Sequence, residues 1–135
     1  MSMQQSSTVL IVDDSAVSAT VLSNFLAINH FHVLTQNSGE EALQFLASSS
    51  SNPDLILLDV MMPGISGFDT CQQLKENPKT QEIPVVFMTA LSNMEDKIKA
   101  FELGAVDYVT KPFQQEEVLA RINTHLTVRR LQQQL

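Results

Sequence analysis

The sequence predicts an α/β fold: a doubly wound parallel sheet of five strands, covered by five helices, in a single domain. Three observations carry that prediction. Short, apolar, β-branched runs alternate with longer segments of helical spacing. The loops between them are short, as expected where helices carry the chain between parallel strands. Finally, 135 residues, 44% apolar and 17% charged, suffice for one compact domain but not for two ordinary ones.

Taken in order, Thr8-Val9-Leu10-Ile11-Val12 is a strand buried on both faces. Ser15 offers a cap for a helix to about residue 29, on which Val17, Val21, Phe25 and Ile28 recur along one face. His32-Val33-Leu34-Thr35 makes a second strand. The next helix opens at Ser38-Gly39-Glu40-Glu41 and carries Ala42, Leu43, Phe45 and Leu46; Ser48 to Pro53 is an ordinary closing loop. Residues 54–58 are the most apolar strand, followed by Asp59 and a helix from Ser66 to about Asn77, before Pro78. Residues 83–88 give a fourth strand, 92–103 a helix stopped by Gly104, and 105–110 a fifth strand. The last helix follows Pro112-Phe113 and runs to the end.

In such sheets, functional side chains gather at the carboxyl ends of the strands. Asp13 and Asp14 end the first strand, Asp59 the third, Thr89 the fourth and Lys111 the fifth. Each has a bland explanation alone. Acids suit a helix start, Asp59 suits a strand-to-turn exit, Thr89 a helix cap and Lys111 a solvated charge. Their joint placement at four strand ends is hard to credit to four accidents, and one chemistry accounts for all of it. Mg²⁺ takes oxygen ligands, commonly one or two carboxylates with waters and a phosphate. Bound among Asp13, Asp14 and Asp59, it would offset repulsion of order ~4 kcal/mol per close pair at an intermediate dielectric. An aspartate can also act as a nucleophile, forming an acyl phosphate. Phosphoryl transfer needs mainly alignment and charge neutralisation, roles that fit Lys111 and Thr89.

Composition narrows the partners. Eight basic against fifteen acidic residues give a net charge of −7, with no basic cluster beyond Arg129-Arg130, so neither nucleic acid nor membrane is expected. No window approaches ~18 uninterrupted apolar residues, and the opening M-S-M-Q-Q-S-S-T lacks a secretory layout, so the expected compartment is the cytoplasm. The lone Cys71 has no internal disulfide partner and reads as a small apolar filler.

D-D at Asp13-Asp14, L-L-D-V-M-M-P-G from Leu57 to Gly64, M-T-A from Met88 to Ala90 and Y-V-T-K-P-F from Tyr108 to Phe113 occur in this order. Together they resemble the receiver domain of two-component response regulators, over about residues 8–126. The resemblance implies a flavodoxin-like strand order, 2-1-3-4-5. It implies that Asp59 is the phosphoacceptor, receiving phosphate from a phosphohistidine of a sensor histidine kinase or phosphotransfer protein. It implies a Mg²⁺ site, which Mn²⁺ can also fill, held directly by Asp14, Asp59 and the Met61 backbone carbonyl, with Asp13 mainly through a water. Lys111 and Thr89 would contact the phosphoryl oxygens, Ala90 would leave them room, and Lys111-Pro112 would be a cis peptide. Tyr108 would swing inward behind Thr89, although a half-buried strand aromatic with its hydroxyl in water is the bland alternative.

On this reading the only catalysis is phosphotransfer to Asp59 and its slow reversal by water. Met61 and Leu91 are apolar where some receivers place polar residues that position the attacking water, so a long-lived phosphoryl group is expected. Signalling would repack the surface of the fourth helix, fifth strand and fifth helix, the expected partner or self-dimer face. Residues 1–7 are expected to be a flexible N-terminus, 8–126 the receiver and 127–135 a helical extension. In that extension Val128, Leu131 and Leu135 keep helical spacing, which suggests a coiled-coil linker or a dimerising helix. The ending Q-Q-Q-L points to a piece of a longer protein, the alternative being a free-standing receiver. Two other readings compete: a receiver-like interaction module acting without phosphate, and a Mg²⁺-dependent phosphatase with an Asp nucleophile. The phosphatase would need a second aspartate where Met61 stands. A dinucleotide site is disfavoured because Gly39, Gly64, Gly67 and Gly104 form no G-x-G-x-x-G turn.

Overall fold

The computed structural model describes residues 7–135, so the expected flexible segment 1–7 lies outside it apart from Ser7. Five strands, β1 (Thr8–Val12), β2 (His32–Gln36), β3 (Leu55–Leu58), β4 (Val85–Thr89) and β5 (Asp107–Thr110), form one parallel sheet in the order β2-β1-β3-β4-β5. Helices α1 (Ala16–Ile28), α2 (Gly39–Ser48), α3 (Gly67–Glu76), α4 (Met94–Glu102) and α5 (Gln115–Gln133) alternate with them.

Strand side chains alternate between the two faces, and each face has its own core. Val9, Ile11, Leu55, Leu57, Val86, Met88 and Val109 pack against α1 and α5 through Leu22, Leu26, Val118 and Ile122. Leu10, Val12, Ile56, Leu58, Val85, Phe87 and Tyr108 pack against α2, α3 and α4 through Ala42, Leu46, Phe68, Leu74 and Ala100. Because both faces are covered, the strands read as near-continuous apolar runs.

Several boundaries differ from the sequence reading by one or two residues, three of them for a clear physical reason, and so does one helix face. β4 begins at Val85 rather than at residue 83, because Pro84 has no N–H for the ladder; its carbonyl still accepts from Ile56 N–H at 2.9 Å. β5 begins at Asp107 rather than at 105, since Ala105 N–H closes α4 onto the Ala100 carbonyl at 3.1 Å, across Gly104 at φ +103°. α4 begins later than residue 92, with Asn93, not Ser92, as its cap: Asn93 Oδ1 accepts from Asp96 N–H at 2.8 Å. On α1 the buried set is Ala19, Leu22 and Leu26, while Val17, Val21 and Ile28 of the expected stripe are 76%, 52% and 77% exposed. α1 is apolar on more than one face, so its periodicity does not choose between them; the shape of the sheet does.

Among the described residues, no helix is long and apolar enough to cross a membrane. Cys71 is fully buried, and burial pushes its thiol up to about 11, as suits a filler.

Candidate functional site

The parallel register delivers the polar strand ends to one rim. Asp59 N–H donates to the Val12 carbonyl at 3.0 Å, and Lys111 N–H to the Thr89 carbonyl at 2.8 Å, so each residue just past a strand is still tied to its neighbour. Gly67, the first residue of α3, has no Cβ, and one built there would strike the Asp59 carbonyl oxygen. α3 therefore closes directly onto the site, with Ser66 and Asp69 forming its capping box.

Asp13 and Asp59 are buried at 2% and 7% exposure, while Asp14 is exposed. One carboxylate oxygen from each of the three lies within 4.8 Å of the others. Lys111 Nζ donates to Asp13 Oδ2 and to Asp59 Oδ2, both at 3.1 Å. The other oxygens are also engaged: Asp13 Oδ1 accepts from Ser15 N–H at 2.9 Å, and Asp59 Oδ1 from Met61 N–H at 3.2 Å. Ser15 itself caps α1 by accepting from Ser18 N–H at 3.3 Å.

The charges explain the protonation tendencies. Burial raises the Asp59 pKa, and the hydrogen bond and charge of Lys111 only partly counter it, with Asp13 adding repulsion. Burial works against the Lys111 charge, but Asp59 and then Asp13 outweigh it and raise its pKa. The Lys111 ammonium, shared with Asp13, leaves Asp59 under-compensated against its burial. With Asp14 alongside, the cluster stays short of positive charge, and its hard oxygen donors suit a divalent cation such as Mg²⁺.

Thr89 and Tyr108 lie a step behind the acids and meet through a residue that sequence reasoning used only for its side chain. Thr89 is fully buried and its Oγ1 accepts from Leu91 N–H at 3.3 Å; Tyr108 OH donates to the Leu91 carbonyl at 2.7 Å. Backbone groups leave no mark in a side-chain pattern, so this link was not legible. The Tyr108 ring is already inside, 7% exposed, and packs 6.2 Å from the Phe87 centroid. Its hydroxyl is therefore not simply in water, and the expected inward swing has no outward starting point in this structure. Burial, then the charges of Asp96 and Asp59, push its pKa up to about 12, so it remains a donor.

Ala90 is exposed and Lys111-Pro112 is cis. Met61 is 59% exposed, with its backbone on the rim. An open groove of about 540 Å³, lined by Asp13, Val17, Val21, Ala90, Lys111 and Phe113 among others, adjoins the acids. Val17 and Val21, two of the α1 residues that escaped the core, line this groove.

Comparison with known proteins gives a consistent result. The chain is 45% identical over 132 residues to a Vibrio cholerae protein named "Probable cyclic di-GMP phosphodiesterase", and 41% identical over 119 residues to the response regulator PleD of Caulobacter vibrioides. These matches take in 96% and 88% of the chain, but only 29% and 26% of those proteins' own lengths. Among solved structures, the receiver domain of Francisella response regulator 1452 is 30% identical with a TM-score of 0.82, covering 90% of this chain and 97% of that one. Vibrio cholerae CheY4, 28% identical, also superposes at 0.82, over 89% and 98% of the two chains. The family model of the response regulator receiver domain matches residues 9–123, and with the fold and the acidic rim already in place, the chain belongs to that family.

Proposed function

We propose that this chain is the phosphoacceptor switch of a two-component pathway, with Asp59 as the residue phosphorylated. The observation that carries the reading is the Lys111 ammonium, 3.1 Å from both Asp13 and Asp59 at the mouth of a buried acidic cluster. That arrangement holds a nucleophilic carboxylate beside a cation able to follow a phosphoryl oxygen.

A carboxylate oxygen of Asp59 attacks the phosphorus of a phosphohistidine. The new O–P bond forms as the N–P bond breaks, and the imidazole departs with the bonding electron pair. Burial, which makes Asp59 more basic, leaves this oxygen poorly solvated and ready to bond. Bound Mg²⁺, or Mn²⁺, would neutralise charge on the transferring oxygens. Asp14 and Asp59 would hold it by their side chains and Met61 by its carbonyl. Asp13, whose oxygens already accept from Ser15 N–H and Lys111, would act mainly through a water.

Once the dianion is in place, Lys111 transfers its bonds to the phosphoryl oxygens and Thr89 turns its hydroxyl toward them, with Ala90 leaving space. Thr89 then gives up its bond to Leu91 N–H, freeing one side of the residue whose carbonyl holds Tyr108. The consequence is a repacked face of α4, β5 and α5, where Met94, Ile98 and Phe101 are already half-exposed or more. That face is the proposed site for a partner or a second copy. The apolar groove beside the acids would seat the sensor histidine kinase or phosphotransfer protein that brings the phosphohistidine. The chain would work in the cytoplasm, with no catalysis beyond phosphotransfer to Asp59 and its slow hydrolysis.

The test is intact mass after incubation with Mg²⁺ and acetyl phosphate. The parent should gain one phosphoryl unit and Asp59→Asn none. A folded parent with no gain would leave the phosphate-independent interaction module as the better reading.

A further inference from the structure

We propose that Glu40 is a positioning residue for the metal site, acting through the loop between β3 and α3; the inference rests on the phosphoacceptor reading. That loop, residues 60–66, carries the Met61 carbonyl proposed as a metal ligand. It is tied at its start within its own neighbourhood: Met61 N–H donates to Asp59 Oδ1 at 3.2 Å, and Gly67 N–H to the Val60 carbonyl at 2.8 Å. At its far end the tie comes from elsewhere in the fold. Glu40 Oε2, in the first turn of α2, accepts from Ile65 N–H at 3.0 Å across 25 residues. Among the described residues, it is the one hydrogen bond to the loop from outside the segment 55–76.

The surroundings are built for this contact. Gly64 adopts φ +80°, which favours glycine. A Cβ built on it would fall onto the Glu40 carboxylate, with Cδ 2.9 Å away, so the carboxylate lies directly over Gly64. On the same turn of α2, a Cβ on Gly39 would meet Ile65 Cγ1 at 2.9 Å, so backbone packs against loop there as well. α2 has no residue in the acidic cluster, yet it holds the far end of the loop that supplies a ligand. Supports of this kind fix the direction of a ligand, and their loss typically lowers metal affinity.

The experiment compares parent, Glu40→Ala and Glu40→Gln. It measures Mg²⁺ affinity by isothermal titration calorimetry, melting in EDTA, and the mass gain with acetyl phosphate. Glu40→Ala should bind Mg²⁺ roughly tenfold more weakly while melting within a few degrees of the parent in EDTA. Glu40→Gln keeps an oxygen able to accept from Ile65 N–H and should recover most of the affinity. Unchanged affinity in Glu40→Ala, with a parent that binds Mg²⁺ and gains the phosphoryl unit, overturns the inference and leaves the phosphoacceptor reading standing. Equal loss in both variants overturns it too, because it assigns the effect to charge alone. A parent that neither binds Mg²⁺ nor gains mass overturns both readings together.

Discussion

At the scale of single residues, Asp107 is the most heavily engaged acid in the molecule. It accepts from Arg121 at 2.9 and 3.0 Å, from the Tyr108 N–H at 2.8 Å, and it lies 2.8 Å from His125 Nε2. Burial opposes its ionisation, but bonds from His125, Tyr108 and Arg121, and then the Arg121 charge, hold its pKa below the usual carboxylate range. A depressed carboxylate pKa adds stability above its ordinary value of about 3.9, and that stability is lost as pH falls through the lower folded value. Asp107→Asn should therefore cost ~1–2 kcal/mol at pH 7, a figure kept small because Arg121 is 44% exposed. The gap from the parent should begin to narrow below about pH 4 and close below the lower folded value in urea unfolding followed across pH, and a gap constant down to acid would contradict the account. Met61 and Leu91 carry a second expectation. Met61 is exposed at the rim and Leu91 packs partly against the core, so neither offers a polar group to orient a water. Phosphoryl loss should be slow, and Met61→Asn/Leu91→Glu should accelerate it several-fold when intact mass is followed over time.

At the scale of elements, the helices differ in how they are told where to sit. α2 and α3 have one apolar side each, Ser caps with acids in the first turn, and positions that periodicity places correctly. α1 has too many apolar residues for its pattern to choose a side, and Val17 and Val21 on the side left outward line the groove beside the acids. α5 runs on to Gln133, and within it Arg129 donates to the Asp54 carbonyl, just before β3, at 3.3 Å. Val128, Leu131 and Leu135 are 44%, 57% and 105% exposed, so their spacing serves no core of this chain. If the stripe joins two copies, Leu131→Glu should lower the weight-average mass in sedimentation equilibrium at high protein concentration. Its melting temperature in dilute solution should stay within about 0.5 kcal/mol equivalent of the parent, as expected of an exposed position. A mass unchanged by the substitution would point to the α4-β5-α5 face or to a monomer.

At the scale of the whole molecule, the sheet order makes one site from four distant parts of the chain. Asp13 and Lys111 are 98 residues apart in sequence and 3.1 Å apart in space, because β1, β3, β4 and β5 are successive neighbours and all point the same way. The sequence by itself determined the α/β class, the five strands and five helices, and the rim residues Asp13, Asp14, Asp59, Thr89 and Lys111. It could do so because burial on both faces writes itself as apolar runs, and the ends of those runs are where polar side chains must emerge. The matching motifs of the receiver family then supplied the strand order. Only the tertiary structure decided which face of α1 is buried, that Tyr108 lies inside, that the backbone N–H and carbonyl of Leu91 join Thr89 to Tyr108, and that Glu40 reaches the loop at Ile65. Those four depend on backbone groups and on the fit between elements far apart in the chain, and neither leaves a periodic trace in the order of side chains.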